Sequence, residues 1–448
     1  MSAGLPSSCA VDVQRLEAIT ARFVTDNRLP GAAVGVVRDG RLAWSHGYGF
    51  ADREAGRRPD AQTLYRVASI SKTFTASSIL QLRDAGRLRL DDPLVVHLPE
   101  AAAITNPFGP VSDVTLRRLL MHTSGLQGEH PTEDPESEPF GSIADIVRDL
   151  PQVRVVIAPD TQTKYCNIAF QLLGAVVERL SGQPFASYVW EHLLEPLELG
   201  RTKFDAEPHE RAVGYFGRLY SDHLPPANFH PSGLFEADGG LWSCVEDLAR
   251  WSAFWLGSEH EEVLARTTRD EMLRPWIVSD ETWHEAQGLC FYWARKGEER
   301  YVGHAGGLHG FITRFALSPK DGCGAIALLN GMGDANALAF ELLDQVVEAQ
   351  RARPLPQPAP PAPLPAAYGG LLGRYHWEEF AEVFVVEWRD GELVLTEGDE
   401  VVRMEPTDDP LVFVMRGQRP AGDRARFLLG DDGRARLVNI GGYPFVRQ

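Results

Sequence analysis

A serine and a lysine stand three residues apart in Ser69-Ile70-Ser71-Lys72, at the start of a stretch whose spacing (Phe74, Ser78, Leu82) is helical. At that separation the two side chains share one helix face and can touch. A serine hydroxyl is a poor nucleophile until a neighbour takes its proton, and a lysine takes it only where burial or nearby positive charge lowers its pKa. The chemistry this pair offers is nucleophilic catalysis through a covalent serine intermediate. Alone, S-x-x-K equally describes a helix serine beside a solvated lysine, so the reading rests on companions elsewhere in the chain.

Two companions follow in order, Tyr165-Cys166-Asn167 and His304-Ala305-Gly306-Gly307. Each by itself has a plain structural explanation, a core tyrosine beside a helix cap and a strand-end histidine. Together with Ser69-Ile70-Ser71-Lys72 they resemble the three motifs of the penicillin-binding-protein and class C β-lactamase superfamily, which includes serine esterases and D-amino-acid-specific peptidases. Leu119-Leu120-Met121-His122-Thr123-Ser124-Gly125-Leu126, Gly239-Gly240-Leu241-Trp242-Ser243 and Glu246-Asp247-Leu248 fit the same pattern, and the likeness runs from about residue 12 to 345.

The resemblance implies a catalytic set of Ser69, Lys72, Tyr165 and His304, with Ser69 as nucleophile. Tyr165 points its phenol at Ser69 and shares the hydroxyl proton with Lys72, whose charge lowers the phenol pKa. Asn167 donates to a substrate carbonyl while accepting from Lys72. Gly306 and Gly307 let a strand approach the substrate, and the backbone N–H groups of Ser69 and Gly307 form an oxyanion hole. His122 is expected to be a structural neighbour. His304 stands where the β-lactamases and transpeptidases usually carry the lysine of Lys-Thr-Gly. A neutral imidazole pairs poorly with a carboxylate, which implies weak penicillin turnover and better use of short-chain esters or amides. Cys166, where serine is common, places a thiol near the site, and its alkylation is expected to slow the enzyme by crowding. A D-amino-acid peptidase or amidase, or an acyl-transferring peptide cyclase, is the alternative within the same chemistry. A non-catalytic ligand binder or scaffold is the rival from another class.

These residues must be positioned by a mixed fold. The resemblance implies an α+β domain over residues 1–350, with an antiparallel sheet flanked by helices and an all-α subdomain. A periodic stretch (Val11, Leu16, Ile19, Phe23, Val24) predicts an opening helix. The runs Ala32–Val37 and Leu42–Tyr48 about Asp39-Gly40 predict a hairpin, and a further helix is expected near Ile168–Leu180. Between Pro354 and Pro365 seven of twelve residues are proline, which marks a linker over residues 351–367. Evenly spaced short strands and turns then predict a small antiparallel β-barrel over 368–448, similar to the lipocalin-like appendage of some of these hydrolases. In such relatives the appendage overhangs the active site or mediates assembly, so a homo-oligomer is one expectation.

With 44 Lys plus Arg against 62 Asp plus Glu, the net charge of −18 argues against nucleic acid and anionic membranes as partners. Small ester, amide or peptide substrates remain. The N-terminus shows neither a basic start nor an apolar run, and no stretch approaches the ~20 apolar residues of a span, so a soluble, cytoplasmic protein is expected. Five scattered cysteines and thirteen histidines without ligand spacing predict free thiols, no metal and no cofactor. The acidic stretch Glu129–Glu138 is expected to be a solvated loop, and Trp242 and Trp251 to pack the core.

Overall fold

The computed structural model describes residues 11–129, 143–216, 236–278, 284–308, 310–353, 362–377, 382–397, 400–417 and 422–448. The chain divides into two units, residues 1–353 and 354–448. In the first, the opening helix Val13–Asp26 is capped by Asp12, which accepts from the Arg15 amide at 3.1 Å, and it buries Leu16 and Ile19. Strands β1 (Gly31–Arg38) and β2 (Arg41–Gly49) form the expected hairpin. Asp39 and Gly40 take φ values of 54° and 68°, the left-handed pair that a tight hairpin turn requires.

A short ladder joins β3 (Tyr65–Arg66) to β4 (Trp242–Ser243). The remaining strands of this unit are β5 (Ile277–Val278), β6 (Glu285–Gln287), β7 (Tyr292–Lys296), β8 (Glu299–Leu308), β9 (Phe311–Ser318) and β10 (Cys323–Leu329). With β1 and β2 they build an eight-stranded antiparallel sheet in the order β2-β1-β10-β9-β8-β7-β6-β5. Because β1 and β10 lie inside it and both faces are covered, every residue of these two strands is buried. The helix Ala335–Arg351 packs Leu338, Leu342 and Val346 with β-strand residues such as Ala325 and Ala327 on one face. On the other face the helix Val245–Leu256 joins the main core, in which Phe74 stacks on Trp251 at 4.0 Å.

The helical lobe holds two of the three motifs. Ser69 lies in a single 3₁₀ turn, Ala68–Ile70, which runs into the helix Ser71–Asp84. The other expected helix spans Asn167–Ser181 and ends at Gly182 with φ 77°.

The second unit is a closed barrel: β11 (Gly373–Trp377), β12 (Glu382–Arg389), β13 (Glu392–Glu397), β14 (Glu400–Pro406), β15 (Val412–Arg416), β16 (Arg424–Leu429), β17 (Ala435–Ile440) and β18 (Tyr443–Arg447). The strand that closes it, β18, pairs Arg447 with Tyr375 and Val446 with His376. Pro444 within β18 disguises it in the sequence, since proline weakens the reading of a strand. Tyr375, Phe384, Met404, Phe413, Phe427 and Phe445 fill the interior, so this is a packed core. Most of the proline run, residues 354–361, lies outside the described residues. Among the described residues no helix is long and apolar enough to cross a membrane, and no group of three or more His, Cys, Asp or Glu side chains is arranged to hold a metal ion.

Candidate active site

The turn that carries Ser69 is strained and held. Ala68 sits at φ 47°, a region costly for a residue with a Cβ. Val67 on one side donates its amide to the Leu241 carbonyl at 3.1 Å and accepts from the Thr313 hydroxyl at 3.1 Å. The Ser71 hydroxyl in turn accepts from the Leu241 amide at 3.1 Å. The Val67 carbonyl lies so close to β8 that a Cβ on Gly306 would stand 2.1 Å from its oxygen. Glycine at 306 is therefore required by the nucleophile-bearing turn itself, a different reason from the substrate approach expected for it. At Gly307 the nearest neighbour of such a Cβ is the Ile312 Cδ1 atom, at 3.3 Å.

Lys72 is completely buried and donates to Ser69 Oγ at 3.1 Å and to the Asp238 carbonyl at 2.6 Å. The Asp238 carboxylate lies 3.8 Å from the same ammonium. Burial works against the charge of Lys72, but the Tyr165 oxygen and Asp238 outweigh it and hold the ammonium above its ordinary pKa. This overturns the expectation of a lysine with lowered pKa.

Tyr165 is 40% exposed at the cleft, with its ring centroid 5.2 Å from the Lys72 ammonium, and its phenol interacts with Lys72 and Ser69. Its pKa is raised, because burial exceeds the opposing effect of Lys72, again against expectation. At rest the pair is an ammonium beside a phenol. His122 fixes the tyrosine ring: it is buried at φ 56°, lies 4.4 Å from that ring between centroids, and accepts from the Cys166 amide through Nδ1 at 3.1 Å. Burial, reinforced by Lys72, keeps this imidazole well below its usual pKa, so it packs as a neutral ring.

Asn167 departs from its expected partner. Its amide nitrogen donates to Glu129 Oε1 at 2.6 Å, and its Oδ1 is buried without a partner among the described residues. The Lys72 ammonium donates to Ser69 and to the Asp238 carbonyl instead, and the expected contact with the Asn167 oxygen is not made. Glu129 is exposed, as expected of that acidic stretch, yet reaches Asn167 at the edge of the site; residues 130–138 lie outside the described residues.

His304 on β8 is buried, with Nδ1 against the Ala305 carbonyl at 2.6 Å. Only a donor can face a carbonyl, so the proton is on Nδ1 and Nε2 is a bare acceptor without a partner among the described residues. Burial drops its pKa to about 3. The Cys166 thiol is fully buried and donates to the Gln127 carbonyl at 3.0 Å, so it points away from the cleft and the crowding expected from its alkylation has no route.

Ser69, Tyr165, Asn167, His304, Gly306 and Gly307 all line one cleft of about 740 Å³, with Lys72 buried behind them. β7 pairs with β8 no farther than Tyr292 opposite Gly303, so among the described residues Ala305–Leu308 has no strand on that side. Three further residues belong to the site. Asp238 adjoins the Gly239-Gly240 landmark, which was the one signal pointing to it. Tyr292 brings a buried hydroxyl without a partner among the described residues, and Arg314 lines the cleft from β9; neither lies in a motif.

A family model described as Beta-lactamase matches residues 16–348. Among curated proteins, the chain is 32% identical over 269 residues to "Esterase EstB" of Burkholderia gladioli, covering 53% of this chain and 68% of that protein. It is 25% identical over 318 residues to "Protein flp" of Staphylococcus aureus (strain MW2), covering 71% of this chain but only 63% of that protein's length. Among solved structures, the octameric penicillin-binding protein homologue from Pyrococcus abyssi superposes with a TM-score of 0.67 at 22% identity, over 97% of this chain and 100% of that one. The structure titled "Crystal structure of SurE" gives 0.60 at 22% identity, over 97% and 99%. The chain belongs to the Beta-lactamase family.

Proposed function

We propose that this protein is a serine hydrolase that forms an acyl-enzyme on Ser69 and cleaves short-chain carboxylic esters, with amides as slower substrates. The observation that carries the reading is the Ser69 hydroxyl held at 3.1 Å from the buried Lys72 ammonium, with the Tyr165 ring 5.2 Å from that ammonium, at the wall of an open cleft. The likeness to an esterase supports the ester preference.

In this reading the working form of the Lys72 and Tyr165 pair carries one proton fewer than the resting form. The pair titrates as a unit, and its raised proton affinity makes turnover rise with pH through the neutral range. Ser69 Oγ attacks the carbonyl carbon, its proton passes to Tyr165, and the carbonyl electron pair moves to oxygen. The backbone N–H groups of Ser69 and Gly307 receive that oxyanion. Collapse breaks the bond to the leaving group, which takes the proton back from Tyr165. Water then attacks the acyl carbon by the same route in reverse, returning a proton to Ser69. The neutral His304 offers no cation at the third motif, which supports weak β-lactam turnover.

The test is reaction with a fluorophosphonate probe and mass spectrometry of the labelled peptide, alongside hydrolysis of p-nitrophenyl acetate. Labelling of Ser69, abolished in Ser69→Ala together with turnover, is expected. Absence of both in folded protein would favour a non-catalytic binder. A panel adding D-aminoacyl amides, nitrocefin and an amine acceptor sorts esterase from peptidase and acyl transferase.

A further inference from the structure

Arg314 is an unusual wall for a cleft. It lies on β9 opposite Ala305, and by strand alternation its side chain stands on the other face of the sheet from His304. It is 5% exposed, and its Nε and Nη2 atoms are buried with no acceptor among the described residues. Its guanidinium lies 5.1 Å from the Phe340 ring centroid, which fixes the plane of the fork. Glu285, on β6, acts on it electrostatically. Burial lowers its pKa to about 10, so it stays charged at neutral pH. Buried donors without partners are rare and costly, and a guanidinium matches a carboxylate in geometry as well as charge.

Both Arg314 and Ser69 line the same cleft, together with Glu285, Trp293, Asn336 and Phe340. We propose that Arg314 is a specificity-determining residue that receives a carboxylate carried by the substrate, so that the preferred esters or amides are anionic. The inference rests on the hydrolase reading above but concerns binding, and it can fail separately. The cation absent at position 304 is present one strand away, on a different wall of the cleft.

Two matched ester pairs test it and locate the charge: monophenyl succinate against phenyl butanoate for the acyl side, and 3-carboxyphenyl acetate against phenyl acetate for the leaving side. In the wild type, kcat/KM for the acid member of one pair should exceed its neutral partner by about 10- to 100-fold, the size of a charge-assisted hydrogen bond. That ratio should collapse toward one in Arg314→Gln and be partly retained in Arg314→Lys, which keeps the charge without the fork. Neutral esters turned over with no acid preference, or a preference that survives in Arg314→Gln, would overturn the proposal. A readout independent of turnover is thermal stabilisation by glutarate compared with glutaramide: stabilisation specific to the acid in the wild type and lost in Arg314→Gln supports the subsite even if Ser69 proves unreactive. Equal effects of acid and amide would overturn it. Arg314→Lys serves for both assays if the glutamine variant does not fold.

Discussion

Replacing Asp238 by asparagine removes a carboxylate 3.8 Å from Lys72 Nζ but keeps the backbone carbonyl that accepts from it at 2.6 Å. Two charges at that distance interact by about 4 kcal/mol at an effective dielectric near 20, which corresponds to roughly three pH units at about 1.4 kcal/mol each. Burial raises the Asp238 carboxyl to about 7, with Lys72 opposing, so the anion is only partly formed at neutrality and complete in the alkaline range where the Lys72 and Tyr165 pair must lose its proton. Removing the anion makes that loss easier. The alkaline limb of the kcat/KM profile for a neutral ester should therefore move down by about one to three pH units in Asp238→Asn. The same group acts on stability. A carboxyl whose folded pKa is raised contributes stability that is present below its unfolded value near 4 and lost as pH rises through about 7. The variant should thus lack this loss and gain on the wild type between these limits, by a few kcal/mol at most. Ester hydrolysis and thermal melting, each followed across the pH range on both proteins, measure the two effects. A folded variant whose alkaline limb stays where the wild type has it would refute the argument, since Asp238 would then be electrostatically silent at Lys72.

Tyr165→Phe keeps the ring against His122 at 4.4 Å and removes the oxygen that interacts with Lys72 and Ser69, so kcat/KM should fall by about 10²- to 10⁴-fold with little change in melting. Near wild-type turnover would take the phenol out of the proton path. Gly306→Ala places a Cβ 2.1 Å from the Val67 carbonyl and should destabilise by about 1 to 3 kcal/mol in denaturant unfolding while displacing Ser69. Gly307→Ala, which meets only the end of the Ile312 side chain, should unfold closer to the wild type. The peptide carrying Cys166 should resist iodoacetamide in the native protein and label fully after unfolding, because burial raises its thiol to about 12 and no part of the residue is exposed. Ready labelling of the native protein would contradict that placement.

Local periodicity and turn chemistry made much of the architecture readable. The hairpin about Asp39-Gly40, the helices after Ser69 and Asn167 and most strands of the barrel follow from spacing and from left-handed turn residues, which are properties of a few consecutive positions. Strand β18 is hard to read locally because Pro444 argues against a strand, while closure of the barrel supplies its pairing from residues some seventy positions away. The motif residues were legible for a related reason: their types and order survive as short words in the chain.

What the order of residues by itself determined was which groups are available: a hydroxyl, an ammonium, a phenol and two glycines in ordered motifs. Tertiary structure alone decided their charge states and partners. Full burial of Lys72 beside Asp238, the raised phenol of Tyr165, the pairing of Asn167 with Glu129 and the buried guanidinium of Arg314, whose Nε and Nη2 meet no acceptor among the described residues, arise between elements far apart in sequence. Desolvation and Coulomb interaction depend on distance in space and on the exclusion of water, and neither is written in the spacing of residues along a chain.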